Sequence, residues 1–518
     1  MAHLPEVTLR YRMLDLVTGR IAFGRVVLNK PRINIVRQAS GRFNYEEVLG
    51  LGGPGGGGRK PLVAFRDVEI RGGTVVIRTP TEATNDTSIE IESGPGGLMR
   101  IRRLDDLNAI VSYARVSSPF EGENALRFDI DELSARFSDP QLDVRSLRGR
   151  LEIDGDSIVL DLSRFVLPGS ETTVKGVLRW PDGPLLLALE LDADRLAVED
   201  ARPFVDGLPW GLEGSGHLSL LSLDSERIRV RISPVRLAGP DGGGSIAGRF
   251  GIVVHEGQGW TLEDTELSFD SLALDYLRPM VDTIPFAGRV WGDLVAAGPS
   301  DSLDTRLQLW FRDSLVAGMP RTYVRGSGAL GLGGGIRFAG FRLDSSDIDL
   351  STVHRLLPAV GLKGQLMLRG LLNGPWRDVT FSGVIQHRDG GLPESVALGS
   401  VRLDSRTDTV GVWADLVFDS LNFAGIHRSY PGVPERGVFG GELRLNGYAD
   451  SLEFRADLSG PPGRVISEGV LTLVSGTMAV HDLAADFRRL NVQALEFASP
   501  PTELYGSVSG EVVSHGYT

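Results

Sequence analysis

The chain has 518 residues, of which 42% are hydrophobic and 23% are charged, a composition typical of a folded protein. Its formal net charge is −13, with scattered acids and no basic face, so nucleic acid is excluded as an expected partner. The absence of cysteine excludes disulfides, thiolate metal sites and cysteine nucleophiles.

The first residues, Met1 to Pro5, lack the basic and apolar regions of a signal peptide. No run of about 18 apolar residues occurs in the sequence, so no membrane-spanning helix is predicted. We therefore expect either a soluble protein or a chain whose targeting segment is missing.

Residues 1–50 form a first block, and residues 51–62 are predicted to be a glycine-rich linker or long loop. This tract does not match a phosphate-binding loop, because Gly58 to Pro61 lacks the Lys-Ser/Thr pair that opens a helix. Glycine accounts for 66 residues without a Gly-X-Y period, which suits the turns and bulges of an all-β chain.

Segments from residue 63 onward alternate apolar and polar residues, which predicts strands with one wetted face. Residues 63–190 form a β-rich segment, and residues 191–518 contain about five repeats of roughly 70–76 residues. Strands with one wetted face are usually antiparallel. The sequence therefore predicts a mainly β fold, an elongated curved antiparallel sheet with short helices between repeats. The side chains expected to line its apolar face include Ile228, Val230, Ile232, Leu366, Leu368, Leu443 and Leu445.

Three landmarks recur in the same order in each repeat: an apolar triplet, a proline, and a glycine within an alternating strand. The triplets are Leu196/Val198/Ala201, Leu272/Leu274/Leu277, Ile348/Leu350/Val353, Leu421/Phe423/Ile426 and Leu490/Val492/Leu495. The prolines are Pro209, Pro285, Pro358, Pro434 and Pro501, and the glycines are Gly214, Gly288, Gly364, Gly440 and Gly506. Each triplet predicts a short helix or helical turn, with N-caps expected at Asp194, Ser271, Asp347 and Ser420. Because one such unit cannot bury its own apolar face, neighbouring repeats are expected to stack.

Two interpretations of the apolar face follow from this pattern. In one, the sheet folds over or pairs with a second sheet and forms a dry core, which is the usual fate of an apolar face. In the other, the sheet curls into a trough that stays open to an apolar ligand. Four tryptophans lie in or near predicted strands, where they either pack in the core or line a lipid-binding face: Trp291, Trp310, Trp376 and Trp413.

No catalytic or metal-binding constellation is found in the sequence. The eight histidines never fall at ligand spacing, and neither HExxH nor GxSxG occurs. Asp344, Asp347 and Asp349 lack the spacing of a calcium loop, so we expect a solvated helix start there. The chain is therefore expected to be non-enzymatic and to bind no cofactor.

The N-terminal block carries a family resemblance in the segment VVLNKPRINIVRQASGRFNYEEVL, from Val26 to Leu49. The segment resembles the opening of AsmA-like proteins, a family that includes TamB and YhdP, in which a strand phrase with proline and arginine precedes "x-Gly-x-x-Asn". The residues that match the phrase are Pro31, Arg37, Gly41, Asn44 and Leu49. Residues Val63 to Ile77 are similar to the family's next hairpin. The resemblance covers residues 20–80 well and most of the chain loosely.

The resemblance implies a repeated β-groove that carries phospholipid acyl chains between the inner and outer membranes, in the periplasm of a bacterium. It also implies an inner-membrane anchor helix, which we expect just before the block seen here in the full-length protein, and it allows an outer-membrane barrel partner. Two alternatives remain: a TamB-like assembly factor for outer-membrane or secreted proteins, which receives client strands by β-augmentation, and a passive envelope scaffold.

Overall fold

The computed structural model describes residues 2–3, 6–11, 20–37, 43–44, 62–81, 89–94, 97–117, 126–154, 156–179, 186–203, 209–255, 259–279, 286–358, 360–431, 433–474, 477–496 and 503–515. Strands account for 75% of the structure. The chain divides into two compact units, Met1–Gly242 with Gly251–Glu256, and Gly243–Phe250 with Gly257–Thr518. We call them the first and the second unit.

Within the part of the chain that the structure describes, the first unit contains fourteen complete strands and two 3-10 turns. The strands are β1 (Ala2–His3), β2 (Glu6–Tyr11), β3 (Arg20–Asn29), β4 (Arg32–Val36), β5 (Leu62–Pro80), β6 (Glu90–Gly94), β7 (Gly97–Ser117), β8 (Leu126–Ser138), β9 (Gln141–Asp154), β10 (Ser157–Val166), β11 (Glu171–Arg179), β12 (Leu186–Ala197), β13 (Glu213–Ser222) and β14 (Arg227–Ala238). The 3-10 turns are Val198–Ala201 and Pro240–Gly242. From β7 to β14, each strand pairs antiparallel with the next in sequence.

The strand β15 (Ser245–His255) is divided between the units, and the second unit continues with strands joined by helical segments. These elements are β16 (Gly259–Ala273), a 3-10 turn (Leu274–Leu277), β17 (Gly288–Pro299), β18 (Leu303–Asp313), β19 (Arg321–Gly331), β20 (Arg337–Asp349), α1 (Leu350–Leu356), β21 (Gln365–Pro375), β22 (Asp378–Arg388), β23 (Ser395–Asp404), β24 (Gly411–Asn422), α2 (Phe423–His427), β25 (Val438–Tyr448), β26 (Ser451–Gly460), β27 (Gly463–Val474), β28 (Thr477–Asn491), a 3-10 turn (Val492–Ala494) and β29 (Glu503–His515). From β16 to β29, every strand pairs antiparallel with the next.

The predicted fold class, a mainly β protein with a long, curved antiparallel sheet and short helices, is confirmed. One local exception is that β3 and β4 both run parallel to β5. The hairpin expected over residues 63–77 is wrong, because β5 continues through them as one strand. Gly72, at φ +60°, lies where the pairing of β5 with β7 shifts register, between Ile70 and Gly73.

The helical turns predicted by the five triplets are confirmed. In each triplet the second member is the first residue of a helical segment: Val198, Leu274, Leu350, Phe423 and Val492. The predicted N-caps at Asp194, Ser271, Asp347 and Ser420 are wrong, because each preceding strand runs two or three residues further. The side chains that cap are Asp349, Asn422 and Asn491, whereas Ala197 and Ala273 provide no side-chain cap.

The second unit repeats a module of four strands and one helical segment, as in β17–β20 with α1 and β21–β24 with α2. A buried ion pair ties α1 to β18: Arg355 donates to the carboxylate of Asp313 at 3.3 Å, and the Asp313 side chain is fully buried. The next module repeats the arrangement with Arg428 and Asp389 at 3.1 Å. Lys363, after α1, donates its backbone N–H at 2.9 Å to the hydroxyl of Ser429, just beyond α2. Consecutive modules are thus linked through their helical segments.

Candidate functional site

The second unit has one apolar face, which the strand register defines, because directly paired residues of antiparallel strands point to the same side. Leu368 pairs with Ile385, and Ile385 pairs with Ala397. The same row continues through Phe418 to Gly441. Leu366, Leu443 and Leu445 lie on this face in neighbouring rows. We call this side the apolar face and the opposite side the polar face.

Charge is nearly absent from the apolar face of the second unit. Among the described strands β17–β28, the only paired residue on this side that is Asp, Glu, Lys or Arg is Asp313, at the end of β18. The polar face carries Arg369, which pairs with Asp344 and Val384, and Arg444, which pairs with Asp415. The two faces therefore differ sharply along the whole run of strands.

The first unit shows the same division of faces between β11 and β14. Val174 pairs with Leu191, Leu191 with Leu218, and Leu218 with Ile232. Val230, two residues before Ile232 on the same strand, faces the same side, and so does Ile228. The structure thus places all seven predicted lining residues on the apolar face of their own unit.

In the middle of the apolar face, half-buried side chains lie among buried ones such as Leu343 and Leu416, and β18 illustrates the half-buried part. At one end Leu303 and Thr305 are each 2% exposed, and at the other Asp313 is 0% exposed. Between them, Leu307 and Leu309 are half-buried. Leu366, Leu368, Leu443, Leu445, Val230 and Ile232 are also half-buried, and Ile228 is exposed.

No second sheet packs on this face in either unit, within the described residues. Contacts between the backbones of different elements join strands that are neighbours in the sheet, or a helical segment and its adjoining strand. Apolar side chains are buried mainly by residues of nearby strands on the same face: Leu368 packs against Phe341, Leu343 and Phe381. A dry core between paired sheets is therefore not what buries these residues.

Glycine on the apolar face allows neighbouring backbones to approach closely. Gly292, at φ +119°, pairs with Leu309, and a Cβ atom there would lie 1.9 Å from the carbonyl oxygen of Gln308. Gly370, Gly383 and Gly399 form one cross-strand row on the same face. Because glycine adds no side chain, such rows leave shallow gaps between the larger apolar side chains.

The tryptophans occupy neither of the two predicted places. Trp291 pairs with Trp310 on the polar face, and Trp413 lies on the polar face of β24. Trp376 follows β21, and the guanidinium of Arg377 lies 5.4 Å from its ring centre. Their apolar rings are covered by arginines instead of by a core, with Arg402 only 4.8 Å from the ring of Trp413.

The polar face is held by ion pairs that shift pKa values. Side-chain and backbone hydrogen bonds from Arg406 lower the pKa of Asp404 to about 2. The hydrogen bond between His217 and Asp192, at 2.6 Å, raises the pKa of His217, and Glu190 adds to the effect. Each shift arises from a partner of opposite charge on a neighbouring or nearby residue. These groups form cross-strand and loop contacts with one another, so we assign them a structural role.

The resemblance motif has a local structural role where it is described. Pro31 is fully buried between β3 and β4. The side-chain amide of Asn44 donates to the carbonyl of Asn34 at 2.9 Å and accepts from the N–H of Val36 at 3.1 Å. Arg37 forms an isolated bridge with Phe43. Gly41, Leu49 and residues 51–61 of the glycine-rich tract lie outside the described residues.

Comparison with known proteins does not assign the chain to a family. No protein-family model, curated protein or solved structure matches the chain. Within the described ranges, no three His, Cys, Asp or Glu side chains cluster to hold a metal ion. No helical segment in those ranges is long and apolar enough to cross a membrane. The apolar face is thus the feature from which function is inferred.

Proposed function

We propose that this chain is a non-enzymatic lipid-carrying protein that shields phospholipid acyl chains along its apolar face. The observation that carries the proposal is the half-buried apolar face of a single-layer sheet, free of charge along the middle of strands β17–β28. Removing one CH₂ group from water stabilises a lipid by about 0.8 kcal/mol. A continuous apolar face offers that stabilisation along its length without any chemical step.

The resemblance in residues 20–80 supports a setting for this activity. The resemblance to AsmA-like proteins implies that phospholipid moves between the inner and outer membranes, through the periplasm. The contrast between the two faces suits that setting, because acyl chains would lie along the apolar face while their headgroups stay in water. Binding would depend on the summed area of many side chains, so no single residue is expected to be indispensable.

The test compares arginine substitutions on the two faces of adjacent strands. Leu443→Arg places a charge in the middle of the apolar face, whereas Val417→Arg adds the same charge to the polar face, where Val417 is 51% exposed. We expect wild type and Val417→Arg to retain co-purifying phospholipid in native mass spectrometry, and to transfer labelled phospholipid between vesicles. Leu443→Arg should lose much of both activities.

Equal effects of the two substitutions would contradict the apolar-face proposal, and so would the absence of bound phospholipid from the wild type. Crosslinks to an outer-membrane barrel, with lipid transfer unchanged by the loss of the protein, would support the assembly-factor alternative. Protease accessibility on intact cells would support the scaffold alternative.

A further inference from the structure

A row of three arginines crosses β17, β18 and β19 on the polar face of the second unit. Arg289 pairs directly with Arg312, and Arg312 pairs with Arg321. All three side chains are exposed. Like charges directly opposite each other destabilise a sheet. The row therefore carries an electrostatic cost.

The adjacent row on the same three strands is aromatic. Trp291 pairs with Trp310, and Trp310 pairs with Tyr323, with the last two rings 5.0 Å apart. The guanidinium of Arg312 lies 5.6 Å from the ring centre of Trp291, and that of Arg321 lies 5.9 Å from that of Trp310. We call these two rows of three residues the basic-aromatic patch.

Two arginines of the patch form no ion pair with the described residues. Among the described residues, no carboxylate forms an ion pair with Arg312 or Arg321, although Asp347 pairs across the strands with Tyr323. Arg402 stacks on Trp413 in the same way elsewhere in this unit, but it is neutralised by Asp378 at 2.7 Å. Stacking on tryptophan therefore does not require an arginine to lack a counter-ion.

We propose that the basic-aromatic patch docks the protein onto the surface of a membrane that contains anionic phospholipids. The planar guanidinium fits phosphate oxygens, and tryptophan and tyrosine favour the interface between headgroups and acyl chains. The patch spans three strands, or about 10 Å. Charges farther than about 8 Å are screened at physiological ionic strength. The carboxylates of Asp293 and Asp347 lie beside the aromatic row on the same face, so they reduce the local charge without pairing with Arg312 or Arg321.

This docking site lies on the face opposite the one that carries lipid in the proposed function, and does not depend on it. In the two proposals, headgroup phosphates of a membrane bind on the polar face, and acyl chains are shielded on the apolar face. An acidic protein segment would also meet the arginines, but it would give no reason for the aromatic row beside them.

The experiment measures sedimentation of the protein with vesicles of phosphatidylcholine, with and without phosphatidylglycerol. The double variant Arg312→Gln/Arg321→Gln is compared with Arg306→Gln/Arg342→Gln, which removes the same charge from exposed positions on the polar face of β18 and β20. Each arginine near an anionic surface strengthens binding about fivefold, so the first variant should bind phosphatidylglycerol vesicles about 30-fold more weakly. The second should bind within a fewfold of wild type.

Equal loss in both double variants would overturn the proposal, because net charge and not the patch would then be responsible. Equal binding to vesicles with and without phosphatidylglycerol, unaffected by salt, would also overturn it and would leave acyl-chain shielding on the apolar face intact. Cooperative thermal unfolding of both variants above the assay temperature establishes that the comparison concerns folded protein. Loss of lipid transfer by Leu443→Arg with normal vesicle docking would separate the two sites.

Discussion

Replacing Asp313 with alanine is expected to loosen the second unit at one place, the junction of α1 with β18. The Asp313 side chain is fully buried and accepts hydrogen bonds from Arg355 at 3.3 Å and from the N–H of Leu315 at 3.0 Å. Removing one partner of a buried pair typically costs about 3–5 kcal/mol. Because the side chain of Arg355 is 25% exposed, water compensates part of the loss, and we expect about 3 kcal/mol.

Hydrogen exchange is the assay that localises this effect. Peptides that cover α1 and the following loop should exchange about 100-fold faster in Asp313→Ala, since 3 kcal/mol corresponds to roughly that factor. Asp293→Ala, an exposed carboxylate on the polar face, is the matched control and should change exchange little. Exchange that is unchanged at α1, or faster throughout the unit to the same degree, would refute the reasoning. A double-mutant cycle with Arg355→Met should show coupling between the two residues.

Three further predictions follow from the two faces. Gly292→Ala should destabilise the protein in urea unfolding by at least about 1–3 kcal/mol, because φ is +119° and a carbonyl oxygen lies 1.9 Å from the added Cβ. Arg406→Gln should raise the pKa of Asp404 toward its ordinary value. Wild type should therefore be more stable than the variant above about pH 4, and this difference should disappear as the pH falls through 2. Thermal melting at a series of pH values measures the difference. His217→Gln should destabilise the protein only at low pH, because the bond to Asp192 raises the pKa of His217. The contribution of His217 to stability is complete below about pH 6.5 and is lost as the pH rises through the folded-state pKa, which NMR titration measures.

Periodicity in the sequence was sufficient to predict the strands and the helical turns. Leu366 and Leu368 alternate with Met367 and Arg369, and the register places both leucines on one face. The capping residues were missed because Asp347 and Asp349 both fit the N-cap preference, and only the point at which β20 ends distinguishes them. The parallel pairing of β3 with β5 was not predictable, because a period of two says nothing about which distant strand becomes a neighbour.

The location of the tryptophans was readable in the sequence but was missed. Trp291 lies between Arg289 and Asp293 at the spacing of one strand face, while Val290 and Gly292 occupy the other. Hydrophobicity favoured a core or lipid-facing position, and strand alternation favoured the polar face. The arginine beside each ring resolves the conflict, because it covers apolar surface that water would otherwise contact.

The number of strands in each module has a consequence for how such a chain can change in length. Four is even, so every module begins in the same direction as the module before it, and α1 and α2 each follow a strand of the same direction. Duplicating or deleting a whole module would keep leucines on one side and arginines on the other. Losing a single strand would reverse the direction of everything downstream. Growth by whole modules is thus the change in length that this architecture tolerates.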